Sequence, residues 1–150
     1  DLVARLDAAN ASGELEGISL LGGEPFAHAA DAVDLAAAAR DRNLGVMIYS
    51  GFTLAEIRDL PDPHAVRLLG LTDLLVDGPY RREEPEGERR WIGSRNQQIH
   101  FLTPRYDPSD QCWRRRNTLE IRVANAEVTV NGFPAAHAAE LWKPKWNRKR

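Results

Sequence analysis

Cysteine is almost absent from this sequence, which has one such residue, Cys112, among 150. A single thiol cannot form an internal disulfide, and it cannot supply the several ligands of a structural zinc site or an iron–sulfur cluster. Long apolar runs are missing too: stretches such as Leu74-Leu75-Val76 fall far short of the roughly 20 residues that a membrane-spanning helix needs. The sequence therefore predicts no membrane span and no metal ligands within this chain, and Cys112 is interpreted as an ordinary, partly buried thiol.

Several catalytic signatures are also absent. There is no GxxxxGK[ST] phosphate loop, no GxGxxG dinucleotide fingerprint and no GxSxG nucleophile elbow. The four histidines lack the HExxH spacing of a zinc hydrolase. These absences argue against the corresponding enzyme classes.

The composition is that of one soluble globular domain, with 43% apolar residues and a net charge of −2. No secretory signal pattern opens the chain, so we expect a cytoplasmic protein. Charge runs from −5 over residues 1–50 to +5 over residues 101–150. The basic end is interpreted as a solvated tail; contact with an acidic partner or with single-stranded nucleic acid is a minor alternative.

Hydrophobic periodicity predicts that strands and helices alternate along most of the chain. Three apolar strands are expected near residues 17–21, 46–50 and 73–77, with helices over 1–11, 27–42, 54–60 and 64–69. A capping box of Thr53 and Glu56 marks the start of the third helix. Strands without polar alternation are typical of a parallel sheet with helices on its faces.

The rest of the chain follows a different pattern. Residues 81–90 are expected to form a charged, mobile loop, and further strands are expected at 91–93 and 99–102. Alternating residues over 119–123 and 128–130 predict an antiparallel hairpin that turns near Asn125.

The residues that follow the three apolar strands carry the chemistry. Ligands of parallel sheets bind beyond the carboxyl ends of the strands, where this sequence has Gly22-Gly23-Glu24, Ser50-Gly51 and Asp77. Bare backbone and carboxylates suit a ligand with an ammonium group, or one held through a cation. Each motif alone is also ordinary turn chemistry.

Five motifs in order are far more specific than any one of them. They are ISLLGGEP at 18–25, YSGFT at 49–53, LVDGPY at 75–80, GSRNQ at 93–97 and VNGFP at 130–134. Together they resemble the successive motifs of radical S-adenosylmethionine enzymes, in particular the activating enzymes of anaerobic, class III ribonucleotide reductase.

This resemblance implies an α/β fold: a partial (β/α) barrel of mostly parallel strands over residues 1–134, with a C-terminal antiparallel hairpin, and a basic tail over 135–150. It implies S-adenosylmethionine bound beside a [4Fe–4S] cluster. One-electron reduction by a flavodoxin or ferredoxin would cleave this cofactor to methionine and a 5′-deoxyadenosyl radical. That radical would take hydrogen from a glycine of a partner glycyl-radical enzyme.

The resemblance also implies roles for named residues. Gly22, Gly23 and Glu24 would receive the methionyl ammonium, the glycines by close backbone approach and Glu24 by charge. Tyr49, Ser50 and Asp77 match positions near the methionyl carboxylate or the ribose. The motif residues Asn96 and Gln97 would either line the cofactor or brace the barrel rim.

The sequence departs from the family at the cluster. The family carries CxxxCxxC on a loop after its first strand, and this motif is absent here. We expect its cysteines upstream of Asp1, because the chain opens without Met inside a helix. The alternative is a degenerate relative: a non-catalytic α/β domain that binds S-adenosylmethionine, a protein or a nucleic acid.

Overall fold

The computed structural model describes residues 2–115, 120–124 and 127–131. Its four helices are α1 (Leu2–Asn10), α2 (Ala29–Asp41), α3 (Leu54–Arg58) and α4 (Pro63–Leu71). Its six strands are β1 (Gly17–Leu20), β2 (Gly45–Tyr49), β3 (Leu74–Asp77), β4 (Gln98–Phe101), β5 (Glu120–Ala124) and β6 (Glu127–Asn131). A short 3-10 helix spans Gln111–Arg114.

Strands β1 to β4 form one sheet in sequence order. The first three are parallel, with Gly17 opposite Gly45 and Met47 opposite Leu74. Strand β4 runs antiparallel to β3. Strands β5 and β6 form a separate antiparallel pair.

The helices cover one face of the sheet. Val46 and Ile48 of β2 and Leu75 of β3 belong to the same buried core as Val33 of α2 and Leu68 of α4. Side chains alternate along a strand, so Met47 and Tyr49 of β2 point away from the helices. Each crossover from one parallel strand to the next thus returns over a single face.

An aromatic cluster lies on the opposite face. Trp113 packs against Trp91, Phe101 and Tyr106, with ring centroids 5.1, 5.0 and 5.8 Å away. With Met47 and other sheet residues, three of these rings line a cavity of about 180 Å³ near the amino ends of the strands. The segments that follow β3 and β4 therefore form the second covering layer.

The caps explain where two helices begin. Thr53 Oγ1 accepts from Glu56 N at 3.3 Å, and Glu56 Oε2 accepts from Thr53 N at 2.7 Å. This confirms the expected capping box. Helix α4 begins at Pro63 because Asp62 caps it by accepting from His64 N at 2.8 Å.

Asp73 joins four parts of the fold at the amino end of β3, and it is fully buried. Its Oδ1 accepts from Arg40 Nη1 at 2.7 Å and from Thr103 Oγ1 at 2.5 Å, and its Oδ2 accepts from Val46 N at 2.9 Å. One carboxylate thus connects α2, β2, β3 and the segment after β4.

The mixed α/β class, the mostly parallel sheet and the antiparallel pair agree with the expectation from sequence. Residues 91–93 lie outside the sheet, contrary to the predicted strand; Ser94 instead makes an isolated bridge with Pro85. The predicted turn near Asn125 and the tail at 135–150 lie outside the described residues. Within the described part of the chain, none of the helices has the length and apolar character to cross a bilayer.

Candidate functional site

A cavity of about 480 Å³ opens at the carboxyl ends of β1, β2 and β3. We call it the carboxyl-edge cavity. It is lined by Leu21, Gly22, Gly23, Tyr49, Ser50, Gly51, Gly78, Tyr80, Gly93 and Gln97. Half of these residues are glycines, so much of the wall is peptide backbone, and the volume is within the range typical of small-molecule sites.

Gly22 and Gly23 need to be glycine for conformation. Their φ angles are +88° and +59°, in the left-handed region that other residues rarely adopt. A Cβ at either position would have no atom within 4 Å, so it would project into open space. The two residues therefore offer backbone groups directly to whatever enters the cavity.

Glu24 ties the end of β1 to the end of β2. Its Oε1 accepts from Ser50 Oγ at 2.8 Å and from Phe26 N at 3.2 Å, and its Oε2 accepts from Gly51 N at 2.8 Å. A carboxylate has about four acceptor positions, so one remains available on Oε2. Glu24 itself lines a neighbouring cavity of about 300 Å³, which shares Leu21 and Gly22 with the carboxyl-edge cavity.

Tyr49 is half-buried in the wall of the carboxyl-edge cavity. Burial raises the pKa of its phenol to about 12. The hydroxyl is therefore neutral at physiological pH and can both donate and accept a hydrogen bond. It adds a polar group without adding charge.

Gln97 fastens the loop that forms the far wall. Its Oε1 accepts from Gly93 N at 3.1 Å and from Ser94 N at 3.2 Å, while its Nε2 donates to Gly78 O at 2.9 Å. This buried amide holds residues 93–97 against the end of β3. Glu86 N donates to Gly93 O at 3.2 Å, and Arg95 N to Glu84 O at 2.8 Å. The loop at 81–90, expected to be a mobile excursion, is thus hydrogen-bonded to this wall.

Glu86 organises that loop through its hydrogen bonds, and its lowered pKa makes the stability of the fold depend on pH in the acid range. Burial of its carboxyl favours the neutral form, but the N–H groups of Glu88 and Arg89 and the Arg89 guanidinium favour the charged form more strongly. The pKa of Glu86 therefore falls from 4.5 to about 2. Because the folded-state pKa is the lower one, its stabilisation is complete above pH 4.5 and is lost as pH falls toward 2.

We therefore expect Glu86→Gln to be less stable than the wild type near pH 6, and we expect the difference to shrink between about pH 5 and pH 3. Urea unfolding of both proteins across this range measures it. Glu83→Gln, an exposed carboxylate of the same loop, is the control. A stability difference that stays constant with pH would contradict the assignment.

Asp77 and Asn96 lie in a different cavity, of about 470 Å³, between α3 and β4. Asp77 Oδ2 accepts from Leu54 N at 2.6 Å and lies 3.0 Å from His100 Nε2, at ion-pair distance but without hydrogen-bond geometry. Asn96 Nδ2 donates to Pro79 O at 2.7 Å. Both side chains hold the ends of elements next to the carboxyl-edge cavity, and Gly78 lines both cavities.

The structure thus gathers Gly22, Gly23, Tyr49 and Ser50 around one cavity. It places Glu24 in the neighbouring cavity, hydrogen-bonded to Ser50. It places Asp77 and Asn96 outside the carboxyl-edge cavity. Tyr80 and Gly93 also line it, although sequence reasoning did not select them as site residues. The position of Tyr80 could have indicated its role. It follows β3 by three residues and so lies at the carboxyl ends of the parallel strands, as the other site residues do.

The described residues do not fit an iron–sulfur cluster. Among them, no group of three or more Cys, His, Asp or Glu side chains is placed to hold a metal ion. The one cysteine, Cys112, lies in the 3-10 helix, and burial, together with Asp110, raises the pKa of its thiol. A raised pKa disfavours the thiolate that binds iron.

Comparison with known proteins places the chain in a family. A model described as "4Fe-4S single cluster domain" matches residues 2–100. An anaerobic ribonucleoside-triphosphate reductase-activating protein of Vibrio cholerae serotype O1 is 34% identical over 91 residues, which cover 58% of this chain and 56% of that protein. The chain therefore spans little more than half the length of this relative. No solved structure matches. Because the family model covers well over half of its residues, the chain belongs to the 4Fe-4S single cluster domain family, and its resemblance to activating enzymes is confirmed.

Proposed function

We propose that the chain binds S-adenosylmethionine and is part of a radical S-adenosylmethionine activating enzyme. This enzyme would generate a glycyl radical on an anaerobic ribonucleotide reductase. The carboxyl-edge cavity, with its glycine wall and the Glu24 bridge, is the observation that carries the proposal. The modest identity to a ribonucleoside-triphosphate reductase-activating protein supports the choice of partner. A flavodoxin or ferredoxin is the proposed reductant.

The cavity suits the cofactor chemically. S-adenosylmethionine carries an ammonium and a carboxylate at one end and an adenine at the other, and when bound it supplies the 5′-deoxyadenosyl group. The carbonyl groups of Gly22 and Gly23 and the open acceptor position of Glu24 would hold the ammonium. Tyr49 would donate a hydrogen bond to the carboxylate or the ribose. Ser50, whose one hydroxyl hydrogen goes to Glu24, would accept a hydrogen bond from a ribose hydroxyl.

Asp77 and Asn96 belong to this proposal as residues that shape the site from behind. Asp77 fixes Leu54 at the start of α3, and Asn96 fixes Pro79 beside Gly78. The barrel is also part of the proposal: strands β1 to β3 in sequence order would form one arc of it. Its division at residue 134, with a basic tail after it, rests on the sequence alone.

Calorimetric titration of the chain with S-adenosylmethionine tests the binding. We expect one bound molecule per chain, and we expect Gly23→Ala to weaken binding because a Cβ would occupy the cavity in a strained conformation. Gly13→Ala is the matched control: Gly13 has a φ of +71° and equally open surroundings, but lies in the turn after α1, outside the cavity. Equal affinity losses in the two variants would contradict the site.

The activity needs the intact protein, reconstituted without oxygen with iron and sulfide and reduced with dithionite. We expect methionine and 5′-deoxyadenosine as products, measured by chromatography. Binding without cleavage would reduce the function to that of a non-catalytic binding domain. Absence of both would overturn the proposal.

A further inference from the structure

Tyr80 is one of four large apolar side chains that stand exposed in the described part of the chain, with 60% of its surface accessible. It also lines the carboxyl-edge cavity. A Cβ built on Gly93 would lie 3.1 Å from Tyr80 Cδ2 and 3.2 Å from Cε2. The Cδ2–Cε2 edge of the ring therefore lies close against Gly93, while more than half of the residue's surface stays accessible.

This platform is held in place from behind. Gln97 Oε1 accepts from Gly93 N, and Gln97 Nε2 donates to Gly78 O, so the residue under the ring is fastened to the end of β3. Arg81 N, next to the tyrosine, donates to Ser94 Oγ at 3.0 Å. An exposed ring with a fixed support is preorganised to stack a flat partner.

The position of Tyr80 separates it from the polar end of the cavity. Gly22 and Gly23 follow β1 while Tyr80 follows β3, and two strand spacings amount to about 10 Å. An ammonium held at the first strand leaves the other end of the same molecule near the third. We propose that Tyr80, supported by Gly93, is the stacking platform for the adenine of S-adenosylmethionine, an inference that rests on the function proposed above.

The test separates the two ends of the ligand. Calorimetry would measure affinities for S-adenosylmethionine, adenosine and methionine with the wild-type chain, Tyr80→Ala, Tyr80→Phe and Gly93→Ala. We expect Tyr80→Ala to weaken adenosine and S-adenosylmethionine binding by about tenfold or more, because stacking is lost. We expect Tyr80→Phe to stay within about twofold and methionine binding to be unchanged in both.

Gly93→Ala should weaken adenosine and S-adenosylmethionine binding less than Tyr80→Ala does, since its Cβ, 3.1 Å from Tyr80 Cδ2, would require the ring to shift by only a few tenths of an ångström. Val66→Ala is the matched control, because Val66 is equally exposed, at 60%, on α4 and away from the cavity. If S-adenosylmethionine binds the wild type and Tyr80→Ala alike, the platform is wrong and the proposed function stands. If the wild-type chain binds neither S-adenosylmethionine nor methionine, both are overturned. Circular dichroism of each variant would show that it is folded.

Discussion

Replacing Asp73 with alanine is expected to lower the free energy of unfolding by about 3–5 kcal/mol. The carboxylate is fully buried, and its removal leaves Arg40, the Val46 amide and the Thr103 hydroxyl without their acceptor. For a chain of this length, such a loss lowers Tm by roughly 10 °C. Thermal and urea unfolding followed by circular dichroism would measure both quantities.

Asp7→Ala is the matched control for this variant. Asp7 also pairs with an arginine, since its Oδ1 accepts from Arg42 Nε at 2.5 Å, but its side chain is 55% exposed. Exposed pairs contribute little because water already solvates both charges. We expect Tm to change little in Asp7→Ala and to fall by an intermediate amount in Asp73→Asn, which keeps some acceptors. Similar losses in Asp7→Ala and Asp73→Ala would contradict the central role of Asp73.

Glu24→Gln is expected to weaken S-adenosylmethionine binding at least thirtyfold, since truncating one member of a close charge pair costs about 2–5 kcal/mol. The change removes the negative charge proposed to face the ammonium. It also sets an amide N–H₂ against either the Ser50 and Phe26 donors or the Gly51 amide. Calorimetry with S-adenosylmethionine and with adenosine would measure the effect.

The two ligands separate charge from geometry. Adenosine has no ammonium, so its affinity is expected to stay within about threefold if the loss is electrostatic. Asp34→Asn, which removes an exposed carboxylate of α2, should bind both ligands as the wild type does. An equal loss for adenosine would show that Glu24 acts only by holding Ser50 and Gly51 in place.

The sequence predicted the elements that local chemistry determines. Apolar runs located β1, β2 and β3, and the Thr53–Glu56 pair located the start of α3 to the residue, although the helix ends at Arg58, two residues earlier than expected. The glycines after β1 identified the wall of the cavity, because only a special backbone conformation or a close approach requires two of them in succession. These signals lie within a few residues of what they specify.

Long-range partners were not predictable in this way. Nothing near Asp73 indicates that Arg40 and Thr103, 33 and 30 residues away, converge on its carboxylate. The charged composition of residues 81–90 predicts a solvated loop, because charges can be read from the sequence. The hydrogen bonds of Glu86 that organise this loop cannot be read from it. The direction of the Asp77 side chain follows from the alternation of side chains along a strand. Asp77 lies on the same face of β3 as Leu75, whose side chain packs toward the helices. The strand end alone therefore did not say which cavity Asp77 would line.

Because β4 runs antiparallel to β3, it ends where the three parallel strands begin. After β4 the chain therefore lies at the amino ends of the parallel strands. There Thr103 donates a hydrogen bond to Asp73, and the Arg105 guanidinium donates to the side chain and the backbone carbonyl of Asn43. Tyr106 then lies over Gly45, where a Cβ would collide with its hydroxyl. The hydrogen bonds of Asp73 and Arg105 thus lie at one end of the parallel strands, and the proposed ligand site lies at the other. Substitutions that strengthen the hydrogen bonds at the amino ends are therefore expected to stabilise the fold without touching the proposed ligand site.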